Sequence, residues 1–218
     1  MLMIKKIHHK KNNRLSLKVC GMKHNTLEVA QLQPDYLGFI FFEKSKRNYD
    51  KAHIEILPEG IKKVGVFVDA SIAFVLDNIR QFQFDVIQLH GSETPEYCKR
   101  LQTDSKVELW KVFSIKDHFD FSVLEAYEAV IDKFLFDTKG KEKGGNGYTF
   151  DWRILQNYPS QKPFMLSGGI GLGEIPAVNE LKKTQLPLFG IDVNSKFEDE
   201  PGLKNINLLK SLVRDLNR

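Results

Sequence analysis

Two residues that end apolar segments have side chains able to exchange protons with a substrate. Cys20 ends the segment LSLKVC, and Gly21 after it would let a ligand approach the backbone. Asp137 ends the segment KFLFD. A thiolate can act as a general base, and a carboxyl group kept protonated by burial can act as a general acid. A lone cysteine is more often a small buried hydrophobe, and Asp137 could simply pair with Lys139, so both interpretations stay open at this point.

A pair of glycines after another apolar segment predicts an anion site. Gly168 and Gly169, in SGGIGLG, let backbone N–H groups approach a phosphate with no side chain between them. Asn194 and Ser195 follow the last apolar segment and supply further backbone donors. The other interpretation of SGGIGLG is a flexible turn before a helix.

Further polar residues follow the remaining apolar segments. They are Arg47, Asp69, His90 and Asp192. The planar guanidinium of Arg47 matches a carboxylate in a bidentate manner, although a charge in EKSKRNY could also be solvated. His90, in QLHG, is either a site residue or a core histidine with satisfied hydrogen bonds.

The apolar segments recur along the whole chain, and each is followed by a longer amphipathic stretch. This alternation is typical of βα units with a parallel sheet. The eight segments are LSLKVC ending at Cys20, YLGFIFF from Tyr36, KKVGVFV from Lys62, DVIQLH from Asp85, VELWKVF from Val107, KFLFD from Lys133, PFMLSGG from Pro163 and LFGIDVN from Leu188. Several are nearly continuous apolar blocks, as expected of strands covered on both faces.

Helices are expected between these strands. Periodic apolar positions predict them over Ser71 to Phe82, Thr94 to Leu101 and Asn205 to Leu216, the last with Leu208 in its apolar stripe. Eight repeats in about 200 residues predict an α/β fold of the (β/α)8 TIM-barrel class, with eight parallel strands. The competing doubly wound sheet is disfavoured because VCGMKH lacks the G-x-G-x-x-G spacing. In such a barrel, the polar residues at the strand ends meet at one rim.

Length and composition bound the remaining possibilities. A chain of 218 residues that is 42% hydrophobic suits one domain, here predicted over 15–218 after a basic tail over 1–14. The formal charge is only +4, which falls short of the clustered basic stripe expected of a protein that binds nucleic acid. No apolar run is long enough to cross a membrane or to form a secretory signal, and the two separated cysteines suggest no disulfide framework. We therefore expect a cytoplasmic protein that binds a small molecule and neither nucleic acid nor membrane.

Taken together, these segments closely resemble the phosphoribosylanthranilate isomerase family over about residues 15 to 217. The resemblance lies in LKVCGM, YLGFIFFEKSKR, KVGVFVDAS, DVIQLHGSETPEYC, FLFDTKGKEKGGNGYTFDW, PFMLSGGI and GIDVNSKFEDEPGLK. Each segment alone is weak evidence. Seven of them in the right order and spacing make the resemblance highly specific.

The resemblance implies an Amadori rearrangement of N-(5'-phosphoribosyl)anthranilate to 1-(2-carboxyphenylamino)-1-deoxyribulose 5-phosphate in tryptophan biosynthesis, with no cofactor and no metal. It implies that Cys20 is the base, that Asp137 is the acid and that Arg47 holds the anthranilate carboxylate. The other substrate-binding residues that it implies are His90, Gly168, Gly169, Asp192, Asn194 and Ser195. The assembly expected is a monomer or a homodimer.

The sequence departs from the family pattern in two places. Asn194-Ser195-Lys196 stands where many members have Ser-Ser-Gly, and KSKRN replaces the commoner KSPRY around Arg47 and Asn48. Lys196 lacks the freedom of glycine at positive φ, so a local change in the phosphate-loop backbone is expected.

Two other functions compete with this interpretation. Indole-glycerol-phosphate synthase shares the anion loops but would use lysine and glutamate at its strand ends, whereas the first strand here ends in Cys20. A non-catalytic protein that binds nucleic acid through the basic tail is the other alternative, and its binding should weaken steeply with salt.

Overall fold

A computed structural model of the chain describes residues 14–116, 118–138 and 149–216. Eight parallel strands form a closed barrel in chain order, β1 to β8. They are β1 Ser16–Cys20, β2 Tyr36–Phe41, β3 Lys62–Phe67, β4 Val86–Leu89, β5 Glu108–Ile115, β6 Lys133–Thr138, β7 Phe164–Leu166 and β8 Leu188–Val193. The predicted barrel class is confirmed, and each strand lies within or overlaps its predicted segment.

The alternation of side chains along each strand sorts them into two layers. In β1, Leu17 and Val19 pack outward in the layer shared with the helices, whereas Cys20 joins the smaller cluster inside the barrel. The interior cluster consists of Cys20, Tyr36, Val64, Val66, Val86, Trp110, Val112, Leu135 and Met165. Side chains at inward positions near the C-terminal strand ends therefore face one shared space.

The described residues form five α-helices. They are α1 Thr26–Ala30, α2 Ile72–Phe82, α3 Pro95–Ser105, α4 Ile175–Lys182 and α5 Ile206–Leu216. The hydroxyl of Ser71 accepts a hydrogen bond from the N–H of Phe74 at the start of α2, and that of Thr94 accepts from the N–H of Tyr97 at the start of α3. These caps explain why both helices begin where the sequence predicts. The predicted end of α3 was wrong, because the helix continues past Leu101 to Ser105.

The predicted apolar stripe of α5 needs one correction. Leu209, Leu212 and Leu216 are buried, but Leu208 is 36% exposed. Residues three and four apart share a face of a helix, and Leu208 lies about 100° away from Leu209 around the axis.

Three connections depart from a regular strand–helix repeat. Short 3₁₀ helices, Phe121–Tyr127 and Trp152–Asn157, follow β5 and β6. Residues 42–61, all described, connect β2 to β3 through turns and irregular chain. After β8, the antiparallel strands β9 Glu198–Glu200 and β10 Leu203–Lys204 bring Lys204 back toward the barrel mouth.

The predicted domain bounds lie partly outside the described residues, which omit 1–13, 117, 139–148 and 217–218. Of the predicted tail, Arg14 is described, and its guanidinium lies 2.5 Å from the carboxylate of Asp35. In the part of the chain that is described, no helix combines the length and apolar character needed to span a membrane.

Candidate active site

A pocket opens at the C-terminal mouth of the barrel. Eight of the nine predicted site residues line it: Cys20, His90, Asp137, Gly168, Gly169, Asp192, Asn194 and Ser195. Apolar side chains, among them Ile40, Phe42 and Val66, complete the wall. The pocket therefore joins titratable groups, an apolar surface and a glycine loop.

Arg47, the ninth predicted site residue, is not among the described residues that line this pocket. Its Nε and Nη2 atoms donate to the carboxylate of Glu198 at 2.6 to 3.0 Å. The side chain of Glu198 is 4% exposed, so this is a nearly buried ion pair. The planar fork expected to bind a ligand carboxylate is thus engaged by a carboxylate of the protein.

Asp137 lies beside an imidazole whose tautomer is defined by a neighbouring amide. Oδ2 of Asp137 is 3.4 Å from Nε2 of His90, and Nδ1 of His90 is 3.1 Å from Nε2 of Gln88. Because the Gln88 amide nitrogen can only donate, Nδ1 accepts, and the proton of a neutral His90 sits on Nε2 facing Asp137. His90 therefore presents a hydrogen-bond donor to the predicted acid.

Gly168 lets the chain pack directly against Asp137. Its φ is +86°, and a Cβ there would stand 2.4 Å from the backbone N of Thr138 and 2.7 Å from Oδ1 of Asp137. Thr138 Oγ1 also donates to the carbonyl oxygen of Gly168. Gly168, which is predicted to bind phosphate, must therefore also lack a side chain so that the Asp137 carboxyl group fits beside it.

Cys20 lies among charged groups that the sequence interpretation did not identify. Lys18, on the same strand, is fully buried, and its Nζ donates to Oδ2 of Asp192 at 2.7 Å. Burial raises the pKa of the Cys20 thiol, and Lys18 is the largest influence in the opposite direction. Burial also acts to lower the pKa of Lys18, but Asp192 and Cys20 outweigh it and the pKa is raised. We conclude that Lys18 is a buried ammonium group beside the predicted base.

A second buried lysine approaches from β10. Nζ of Lys204 donates to Oδ1 of Asn194 at 2.7 Å and to Oε1 of Glu198 at 2.6 Å. Burial lowers the pKa of Lys204 to about 8 even though Glu198 raises it. Oδ1 of Asn194 is therefore occupied by Lys204, whereas the donors that a phosphate needs, the backbone N–H and the Nδ2 group, are not used by this contact.

The residues at the departures from the family pattern lie at the barrel mouth. Lys196 lines the pocket, and the positive-φ non-glycine residues among those described are Gln33, Asp69, Gln83 and Lys106. A glycine in place of Lys196 could adopt positive φ, so the expected local change of the phosphate-loop backbone stays a prediction. Oδ1 of Asn48 accepts from the N–H of Phe42 and closes the turn that carries Arg47.

Asp69 has a scaffold role in the structure. Its backbone N–H donates to Glu93, and its Oδ1 accepts from the N–H of Ser92 at 2.5 Å. Glu93 is also bound to the buried Lys111. Asp69 therefore links the loops after β3 and β4, and the second of these loops carries His90.

Of the contributors to the site that were missed in the sequence, two left a signal there. In LSLKVC, strict alternation puts Lys18 on the same side of β1 as Cys20, and in VIQLH it puts Gln88 on the same side as His90. Gly38 was missed because its role depends on β2 pairing with β1. A Cβ on Gly38 would stand 2.9 Å from the sulfur of Cys20.

Oδ1 of Asp192 and Oε1 of Gln88 are buried and have no hydrogen-bond partner within the described part of the chain. Both residues line the pocket, so both oxygens can accept hydrogen bonds from a ligand. No group of three or more His, Cys, Asp or Glu side chains suited to a metal ion occurs within the ranges described.

A barrel mouth that combines a thiol, a carboxyl group and a glycine loop is typical of a (β/α)8-barrel enzyme. Residues 17–215 match the family model for N-(5'phosphoribosyl)anthranilate (PRA) isomerase. The chain belongs to this family, and it is an isomerase of tryptophan biosynthesis.

Individual relatives agree with the family match. An N-(5'-phosphoribosyl)anthranilate isomerase of Parabacteroides distasonis is 41% identical over 210 residues, which cover 92% of each chain. The crystal structure of phosphoribosyl anthranilate isomerase from Thermotoga maritima matches with a TM-score of 0.81 and 27% identity, covering 93% of this chain and 98% of the other. A phosphoribosyl anthranilate isomerase in complex with reduced 1-(o-carboxyphenylamino)-1-deoxyribulose 5-phosphate matches with a TM-score of 0.77 and 25% identity, at the same coverage.

Proposed function

We propose that the chain rearranges N-(5'-phosphoribosyl)anthranilate to 1-(2-carboxyphenylamino)-1-deoxyribulose 5-phosphate, with Asp137 as general acid and Cys20 as general base. The observation that carries this proposal is that the two side chains line one pocket from β6 and β1, which stand three strand positions apart around the closed barrel. An acid and a base so placed can act on different atoms of one sugar.

Asp137 protonates the ring oxygen of the furanose, and the ring opens to an iminium ion. The Cys20 thiolate then removes the proton from C2'. The resulting enolamine tautomerises to the ketone of the product. Nε2 of His90 lies 3.4 Å from Oδ2 of Asp137 and has no hydrogen-bond partner among the described residues, so it is available as a donor at this end of the substrate.

The loops after β7 and β8 hold the phosphate of the substrate. Gly168 and Gly169 both have positive φ, so their N–H groups are presented without an intervening side chain. Asn194 and Ser195 contribute backbone donors from the neighbouring loop, and Asp192 accepts a hydrogen bond from the substrate through its Oδ1.

Arg47 holds the anthranilate carboxylate in this proposal. Glu198 occupies Nε and Nη2, and no acceptor for Nη1 is recorded among the described residues, so Nη1 is the atom that binds the substrate. Glu198 then fixes the guanidinium rather than competing for all of it. A substrate lacking the carboxylate should show a raised KM, and Arg47→Met should abolish that difference.

The proposed reaction is tested by following the loss of phosphoribosylanthranilate fluorescence with the pure wild-type protein. We expect turnover that saturates with substrate and needs no added cofactor or metal. Failure of a folded wild-type preparation to turn over the substrate would overturn the proposal. Binding that weakens steeply with salt in the absence of turnover would favour the nucleic-acid alternative.

We also propose a cytoplasmic location and a monomeric or homodimeric state. The location is supported by two free, buried cysteines, which suit a reducing compartment. Analytical ultracentrifugation across a range of protein concentrations tests the assembly, and a species larger than a dimer would contradict it.

A further inference from the structure

Inside the barrel, Cys20 and Lys18 of β1 lie beside Gly38 of β2, which has no side chain. Cys20 pairs with Gly38 across the sheet. A Cβ on Gly38 would stand 2.9 Å from Sγ of Cys20 and 3.1 Å from Nζ of Lys18. The absent side chain thus leaves one small space that the sulfur and the ammonium group share.

Lys18 has hydrogen-bonding capacity beyond its contact with Asp192. An ammonium group has three N–H donors and no acceptor, and Lys18 is fully buried. Its hydrogen bond to Oδ2 of Asp192 uses one of these donors. The sulfur of Cys20 is the acceptor next to it, and a buried ammonium group is stabilised by a second anionic partner.

The charged groups around Cys20 come from three elements. Lys18 lies on β1, Asp192 on β8 and Lys204 on β10, while β2 contributes the uncharged Gly38. Burial and Asp192 raise the pKa of Cys20, and Lys18 and Lys204 lower it. Of the two cations, Lys18 has the larger effect and touches the space occupied by the sulfur.

We propose that Lys18 is a positioning residue for the reaction: its ammonium group, anchored on Asp192, stabilises the thiolate form of Cys20 at the point where the base must act. Lys18 makes no bond to the substrate. Its effect on the reaction passes through the sulfur. This inference rests on the proposed role of Cys20 as the base, but the stabilisation of the thiolate can be measured without any substrate.

The test is the pH dependence of Cys20 alkylation by iodoacetamide, followed by mass spectrometry so that Cys20 and Cys98 are read separately. Wild type is compared with Lys18→Met from about pH 6 to about pH 11. We expect the midpoint of the alkylation rate to move up by at least about one pH unit, which is about tenfold less thiolate at a given pH. An unchanged midpoint in a folded Lys18→Met variant would overturn the proposal.

The matched control is Lys111→Met. Lys111 is also buried, but it binds Glu93 and the carbonyl oxygens of Leu89, Gly91 and Val112. Its loss removes a buried lysine without touching the environment of Cys20. The alkylation midpoint should stay at the wild-type value, and an equal shift in Lys111→Met would show that general loosening of the barrel causes the effect.

A second comparison covers the case in which Lys18→Met alone does not fold because Asp192 is left unpaired. Asp192→Asn is compared with the double variant Lys18→Met plus Asp192→Asn, so that the two proteins differ only at Lys18. We expect the double variant to have the higher midpoint. Equal midpoints would overturn the proposal.

Turnover separates this inference from the proposed function. In Lys18→Met, kcat at neutral pH should fall about tenfold or more, recover as the pH is raised, and leave KM nearly unchanged. A structural role alone would not produce recovery at high pH. If the wild type proves inactive while the alkylation midpoint still shifts, the proposed reaction fails and the role of Lys18 stands.

Discussion

The two sides of the pocket surround their reactive groups with different chemistry. On the β1 side, Cys20 has the buried cations Lys18 and Lys204 behind it. On the β6 side, Asp137 lies beside the imidazole of His90, whose Nδ1 contacts the side-chain amide of Gln88. Fixed cations favour the deprotonated form of a thiol, whereas the group beside the carboxyl group on the β6 side is an imidazole held by an amide. The difference between the sides is therefore clearest at the predicted base, which has two buried cations beside it.

Replacing the acid should have the largest effect on turnover. Asp137→Asn keeps the shape of the side chain but removes the exchangeable acidic proton, and we expect kcat to fall by about a hundredfold to ten-thousandfold. Steady-state kinetics by fluorescence give the measurement. Asp77→Asn, on the exposed surface of α2, is the control and should retain wild-type turnover.

The pH dependence of kcat/KM should be the next largest effect, and its direction follows from the surroundings of Cys20 on the β1 side. Burial raises the pKa of the Cys20 thiol, and the base acts only when it has lost its proton. We therefore expect kcat/KM to rise with pH beyond the usual thiol value of about 8.5, by about tenfold per unit below the midpoint. A profile that reaches its plateau below neutral pH would show that Cys20 does not limit activity.

Gly38→Ala tests the shared space on the β1 side. The new Cβ would stand 2.9 Å from Sγ of Cys20, so the sulfur or Lys18 must move. We expect a loss of about 1 to 3 kcal/mol in the free energy of unfolding and a clear fall in kcat. Gly173→Ala is the control, since nothing lies within 4 Å of a Cβ there. Wild-type kinetics in Gly38→Ala would mean that the sulfur and the ammonium group need not lie so close.

The smallest effect is expected at Gln88, on the β6 side. The amide donor makes Nδ1 of His90 an acceptor and so places the ring proton on Nε2, toward Asp137. Gln88→Met should reduce kcat several-fold because it removes this control of the tautomer, and Gln88→Glu, which offers Nδ1 only an acceptor, should reduce it further, by about tenfold. Gln81→Met, which alters a surface contact of α2, provides the control. Equal kcat values for all three variants would remove Gln88 and His90 from this role.

The fold followed from the sequence because strand-forming segments are short, apolar and regularly spaced. Residues at the strand ends could therefore be placed on one rim, which is how Cys20 and Asp137 were found. The partner of Arg47 could not be predicted, because Glu198 reaches it through the β9–β10 hairpin from 151 residues away. Likewise, Gly38 shows its role only when β1 and β2 are paired.

Replacement of the base tests the central claim most directly. Turnover of phosphoribosylanthranilate by Cys20→Ala is measured against wild type, with Cys98→Ala, which removes the buried thiol of α3, as the matched control. We predict that folded Cys20→Ala loses about a hundredfold to ten-thousandfold in kcat while Cys98→Ala stays near wild type. Near-normal turnover by folded Cys20→Ala would contradict the assignment of Cys20 as the base.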